Sequence, residues 1–133
     1  MSQTLTIRQV TMADHAVVCR LIDDVNLPPR LFIKNTPLQT ADIIKENRSL
    51  LCEVGHVVIG VLLVSADNYI DTIVSYVRGT GRQLLSNLPT GEYQTHISPD
   101  NDRSIAMFTS MGFEEMGTSV LEQQKRHVYA GSL

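Results

Sequence analysis

Residues Tyr69–Leu88, YIDTIVSYVRGTGRQLLSNL, decide how this chain is read. Ile70, Ile73 and Val74 form the β-branched run of a buried strand. Gly79 and Gly81 break that run, and Leu84, Leu85 and Leu88 then recur at the spacing of one helix face. The stretch predicts a strand, a tight glycine turn and an amphipathic helix. A helix that starts from such a turn presents unpaired N–H groups at the positive end of its dipole, which is a seat for a phosphate or pyrophosphate. Glycine in a strand-to-helix turn is also used for tight geometry alone, so the other segments must decide between the two uses.

The chain has 133 residues, enough for one domain over 1–133 with a real core. Its 43% hydrophobic and 19% charged residues are those of a soluble globular protein. A formal charge of −3 makes a nucleic-acid partner unlike this chain, because such proteins are usually basic. No apolar run approaches the roughly 20 residues of a membrane span, so no membrane partner is expected. The start, MSQTLTIRQV, lacks the basic and apolar blocks of a signal peptide. Cys19 and Cys52 are too few for a disulfide framework, which makes a cytoplasmic location with reduced thiols the expectation. His15, His56, His96 and His127 show no ligand spacing, and no metal is expected.

Leu5, Ile7 and Val10 predict a short first strand, and TMADHAVVCRLIDD a helix with Thr11 as N-cap. Asp14 stands three residues on, where a capping-box acid belongs. Pro28, Pro29 and Pro37 force an irregular connection anchored by Leu31, Phe32 and Ile33, and residues 38–47 predict a second helix. Residues 50–53 and 56–64 predict a hairpin, with Gly55 in its turn and Gly60 marking a bulge or a close backbone approach. After the Leu84/Leu85 helix, EYQTHIS predicts a strand in which Tyr93, Thr95 and Ile97 alternate. Asn101 opens a helix that closes at Gly112, a strand runs from Phe113 to about Val120, Gln123–Arg126 form a polar turn, and His127–Ala130 a last strand. The order β-α-α-β-β-β-α-β-α-β-β predicts an α/β (α+β) domain whose sheet is antiparallel early and has parallel βα units in the middle.

In three places the chain resembles the GNAT superfamily of N-acetyltransferases. LTIRQVTMADHAVVCRLI is similar to the family's first strand and helix. VRGTGRQLL is similar to its acetyl-CoA pyrophosphate loop, [QR]-x-x-G-x-[GA]. NDRSIAMFTSMGF is similar to its late helix and strand, with an asparagine, an aromatic seven residues on, and G-F. The resemblance implies a mixed central sheet of six to seven strands flanked by about four helices, and acetyl-CoA as cosubstrate. The loop can be registered on Leu84–Leu85, which puts Gly79 and Gly81 at the small positions and Tyr76 where Gln or Arg is usual. Registered on Arg78, it puts Gln83 where Gly or Ala belongs; the first register keeps the helix face in phase and is preferred.

Under the preferred register, the amides around Arg78, Gly79, Thr80, Gly81 and Arg82 hold the pyrophosphate, with charge from Arg78 or Arg82. The resemblance further implies that the backbone near Ile73 and Val74 pairs with the pantetheine arm, in a splay between this strand and the Tyr93–Ser98 strand. Asn101 stands where the family has its helix-start residue beside the pantetheine, a role compatible with an N-cap. Phe108 stands where the family often has the tyrosine that protonates the departing thiolate, so that role is vacant or filled by water or another residue, with Tyr76, Tyr93 and Tyr129 as unranked candidates. Asp71 is the nearest match to a carboxylate base, although a surface position on the strand or a turn contact is the commoner reason for such a residue. His96 is an alternative base, with an intrinsic pKa near ~6.5, and also fits a structural histidine.

The acceptor implied is an amine, on a small molecule or a protein, bound by Pro28–Leu38 and the final hairpin; a homodimer is compatible with exposed edge strands. Three functions follow: an acetyl-CoA-dependent N-acetyltransferase transferring directly to the amine, a catalytically degenerate acyl-CoA-binding or protein-interaction module of the same fold, and a nucleotide-binding βα domain, which the antiparallel start disfavours.

Overall fold

The structure, a computed structural model, describes residues 4–121 and 124–133. Strand β1 (Leu5–Gln9) leads through a 3-10 turn (Met12–Asp14) into α1 (His15–Asp23), and after the proline-rich connection comes α2 (Pro37–Ile44). Strands β2 (Leu50–Val54), β3 (Val57–Val64) and β4 (Tyr69–Ser75) follow, then α3 (Thr80–Ser86), β5 (Glu92–Ile97), α4 (Asp102–Ser110), β6 (Glu114–Leu121) and β7 (Gln124–Ser132). One seven-stranded sheet results, in the order β1-β2-β3-β4-β5-β7-β6. Every neighbouring pair is antiparallel except β4 and β5.

Two corrections to the sequence reading concern the last hairpin. Strand β7 begins at Gln124, so Lys125 and Arg126 are strand residues and not part of the polar turn; Gln123 lies outside the described residues. The chain also returns from β6 on the inner side, so β7 sits between β5 and β6 and the middle of the sheet holds a single parallel pair.

Helices cover both faces. On one, Val18, Leu21, Ile22 and Ile44 pack against Leu51, Val61, Leu63 and Val74. On the other, Leu84, Leu85, Phe108 and Phe113 pack against Leu62, Val64 and Ile70. Two irregularities shape the centre. Between β2 and β3 the register passes from Cys52↔Gly60 to Glu53↔Val58, leaving Ile59 as the extra residue of a bulge beside Gly60. A side chain at Gly60 would come within 2.9 Å of Cys52 Sγ and 3.1 Å of the Val74 carbonyl, so the close approach is also real. Between β3 and β4 the register passes from Leu63↔Thr72 to Val64↔Ile70, and the extra residue is Asp71.

That second bulge sits where β4 leaves β5. The parallel pair is confined to Tyr69↔Gln94 and Ile70↔Thr95, closed by Thr95 Oγ1 donating to the Ile70 carbonyl at 2.9 Å. Strand β5 instead follows β7 through Ile97↔His127. Beyond Ile70, the edge of β4 facing β5 has no strand partner among the described residues.

Candidate functional site

A cleft fills the splay. Its larger part, about 400 Å³, lies between Ile73–Ser75 of β4, the Val77–Arg82 turn and Met107 of α4. A smaller cavity, about 110 Å³, lies deeper, with Asn35, Asp71, His96 and Arg126 on its wall. Both are lined by Phe32, Ile73, Asn101 and Ser104, so the two adjoin along the splay.

At the outer end, Ser75 Oγ donates to the Val77 carbonyl at 2.7 Å and accepts from Val77 N–H, which tightens the turn. Gly79 caps α3 with φ +89°, a left-handed conformation that glycine adopts without a Cβ penalty. No atom lies within 4 Å of where its side chain would be, so it borders open space. Gly81 has a different reason to be small. A Cβ there would lie 3.0 Å from Met107 Sδ and 3.3 Å from Ile73 Cδ1, so this glycine lets α3 approach α4 and β4 closely. Leu84 and Leu85 are fully buried, and the apolar face of α3 is therefore in phase with a cap at Gly79. Thr80 is buried, its N–H donating to the Val77 carbonyl at 3.2 Å. Arg78, Arg82 and Arg103 border this end, and among the described residues none of them forms an ion pair. A chain of net negative charge thus gathers three cations at one cleft mouth.

Midway, Asn101 caps α4 by accepting from Ser104 N–H at 3.2 Å, and its amide reaches the Leu31 carbonyl at 3.4 Å. The cap therefore also ties down the proline-rich connection that roofs the cleft. Phe108 lies on the wall of the smaller cavity, packed edge-on against Phe113 with ring centres 5.1 Å apart. Its hydrocarbon ring supplies no proton.

At the inner end, Asp71 Oδ1 accepts from Asn35 Nδ2 and from Thr72 Oγ1. His96 Nδ1 lies 2.8 Å from the Tyr69 hydroxyl. Burial, with Arg126 nearby, pushes the His96 pKa down, which keeps the ring neutral near pH 7. Burial, with the charges of Asp71 and Asp67, pushes the Tyr69 phenol up to about 12. Arg126 is buried on β7 and donates to the carbonyls of Arg30 and Pro29, each at 2.9 Å.

The fold brings Asp71, His96, Asn101, Phe108 and Ile73 onto one cavity, and Val74, Arg78, Gly79, Gly81 and Arg82 onto the adjoining cleft. The three tyrosines left open by the sequence are elsewhere. Tyr76 donates to Asp24, Tyr93 donates to the Pro89 carbonyl, and Tyr129 is buried off the cavity wall. Tyr69, Asn35 and Arg126 were missed. Alternation in β5 offered one signal: with Tyr93, Thr95 and Ile97 buried on one face, His96 must stand on the opposite face of the sheet, the one Tyr69 shares. Nothing in the sequence marks Arg126, whose partners are 96 and 97 residues away.

Among the described residues no helix is long and apolar enough to cross a membrane, and no group of three or more His, Cys, Asp or Glu side chains could hold a metal ion. No family model and no curated protein sequence matches the chain. Solved structures do. A GNAT-family acetyltransferase from Bacillus cereus superposes with a TM-score of 0.76 at 16% identity, over 97% of each chain. Naa50 of Arabidopsis thaliana, solved with the bisubstrate analogue CoA-Ac-MVNAL, gives 0.75 at 18% identity, over 97% of this chain and 99% of its own. The diaminobutyrate acetyltransferase EctA of Paenibacillus lautus, solved with L-2,4-diaminobutyric acid and coenzyme A, gives 0.77 at 15% identity, over 96% and 94%. This chain has the fold of the GNAT acetyltransferases, over 96–97% of its length in these superpositions.

Proposed function

We propose that the protein is an acetyl-CoA-dependent N-acetyltransferase that passes the acetyl group directly to an amine. The observation that carries this reading is the pair of adjoining cavities at the β4–β5 splay, one bordered by a cationic glycine turn and the other by polar, proton-carrying side chains. The cosubstrate fits it. Free amides of the turn from Arg78 to Arg82, the Thr80 amide excepted because it donates to the Val77 carbonyl, hold the pyrophosphate together with the Arg78 and Arg82 charges. The unpaired edge of β4 at Ile73 and Val74 pairs with the pantetheine amides, and Asn101 and Phe108 flank the thioester. The amine reaches the smaller cavity, where Asp71 and His96 face it. Naa50 and EctA, solved with a peptide-bearing analogue and a diamino acid, support an amine acceptor in general. Two copies joined along the exposed edge of β6, where Met116 is uncovered, are compatible with this site.

Ligand binding to the native state alone stabilises it, by about 2.7 kcal/mol at a hundredfold excess over Kd. Acetyl-CoA at millimolar concentration is therefore expected to raise Tm, and some member of an amine panel to release free thiol. An unmoved Tm overturns the proposal. A raised Tm with no turnover on any amine favours the second reading, a degenerate acyl-CoA-binding module, for which the aromatic hydrocarbon at Phe108 is the motivating observation. A nucleotide-binding βα domain fits poorly, because a sheet with one parallel pair has no doubly wound crevice.

A further inference from the structure

The smaller cavity carries one more proton-bearing group than acetyl transfer has so far been given. Tyr69 is the first residue of β4, and the parallel pairing Tyr69↔Gln94 places His96 diagonally beside it on the same face. The two rings are 5.3 Å apart and tilted by 59°, with the hydroxyl 2.8 Å from Nδ1. Among the described residues lining this cavity, the ionisable side chains are Tyr69, Asp71, His96 and Arg126. A guanidinium does not give up its proton. Asp71 Oδ1 is already engaged by Asn35 and Thr72, whereas Tyr69 and His96 contact each other directly and can pass a proton between them. Their surroundings also push them apart, one held protonated and the other held neutral, which is how an acid and a base are told apart in a shared site.

Resting on the acetyl-transfer reading above, we propose that Tyr69 protonates the departing thiolate and that His96 resupplies it. As the C–N bond forms and the C–S bond breaks, the amine's N–H proton passes to His96 Nε2. The Nδ1 proton passes to the Tyr69 oxygen, and the Tyr69 hydroxyl proton passes to the sulfur. One proton leaves nitrogen and one reaches sulfur; the tyrosine is restored, and the imidazole is left as its other neutral tautomer, which resets through solvent. Phe108 packs hydrocarbon against the same cavity and takes no part.

The test compares kcat and KM. Tyr69→Phe keeps the ring and removes the hydroxyl, so kcat is expected to fall about 100-fold or more, the scale of positioned acid–base catalysis. KM for acetyl-CoA and the thermal shift it produces stay within a factor of about two of the wild type on this assignment, because the hydroxyl makes no contact with acetyl-CoA before the chemical step. His96→Gln is expected to lose a similar factor, and the double variant no more than the worse single one, as for residues that act as a unit. A Tyr69→Phe enzyme whose kcat stays within about threefold of wild type overturns the assignment, as do losses that multiply. Should Tyr69→Phe fail to fold, 3-fluorotyrosine at 69 decides. It preserves shape and makes the phenol more acidic, so the alkaline limb of kcat moves to lower pH, with Asp71, Asp67 and Arg126 as the other charges facing this pair; an unmoved limb overturns the proposal. A wild type that neither binds acetyl-CoA nor releases thiol defeats the acetyl-transfer reading itself. A wild type that turns over beside an equally active Tyr69→Phe defeats the assignment alone.

Discussion

Asp14 shows how one carboxylate joins sequence-local and tertiary contacts. Its Oδ2 accepts from Thr11 N–H at 2.8 Å, the capping contact expected three residues along. The same group receives two donors from the Arg8 guanidinium on β1, at 2.8 and 2.9 Å, while Arg8 Nε reaches Glu53 on β2. Arg8 holds the Asp14 carboxyl well below its ordinary value, down to about 2. The sign follows: the folded pKa lies below the unfolded one, so the stabilisation is complete above about pH 4 and is lost as pH falls toward 2. With half-exposed Arg8 screened by water, this contributes about 1–2 kcal/mol at neutral pH. Asp14→Asn is expected to flatten the decline of urea stability between pH 4 and pH 2, and denaturation midpoints across that range check it.

Among the elements, glycines fail for opposite reasons. In the turn before α3, Gly79→Ala meets open space but must hold φ +89°, a strain of about 1–2 kcal/mol. In β7, Gly131 has no such backbone constraint, but a Cβ would fall 2.6 Å from Phe113 Cδ1 and 3.0 Å from its Cα. Backbone cannot step aside as a side chain can, so Gly131→Ala is expected to cost about 3 kcal/mol, by pushing β7 away from Phe113 just before β6. Calorimetric melting of both variants checks the order: the Gly131 variant melts lower, while the Gly79 variant keeps most of its Tm.

For the whole molecule, Arg126 joins the two ends of the chain. Its guanidinium holds the carbonyls of Pro29 and Arg30, and Arg30 in turn forms an exposed ion pair with Asp100 at 3.3 Å. With Asn101 on the Leu31 carbonyl, three side chains (Arg126, Asp100 and Asn101) fasten the proline-rich connection over the cleft. Arg126→Ala leaves two carbonyls without their charged donor and is expected to cost about 1–3 kcal/mol. Limited proteolysis of that variant is expected to cut first between residues 27 and 33; an unchanged cleavage pattern with unchanged stability refutes the tie.

The sequence by itself determined what short-range chemistry controls. The order of strands and helices, the caps at Thr11, Asn101 and Gly112, the glycine turn and the apolar face of Leu84 and Leu85 all follow from residues within a few positions of one another. The Asp71 bulge, the insertion of β7 between β5 and β6, and the meeting of Tyr69 with His96 were decided by the tertiary structure. Each depends on which strand lies beside which and in what register, and register is set by packing between segments far apart in the chain. Arg126 gives the clearest case: as part of a polar run it suggests a solvated turn, and only the folded sheet buries it against carbonyls at the other end of the sequence.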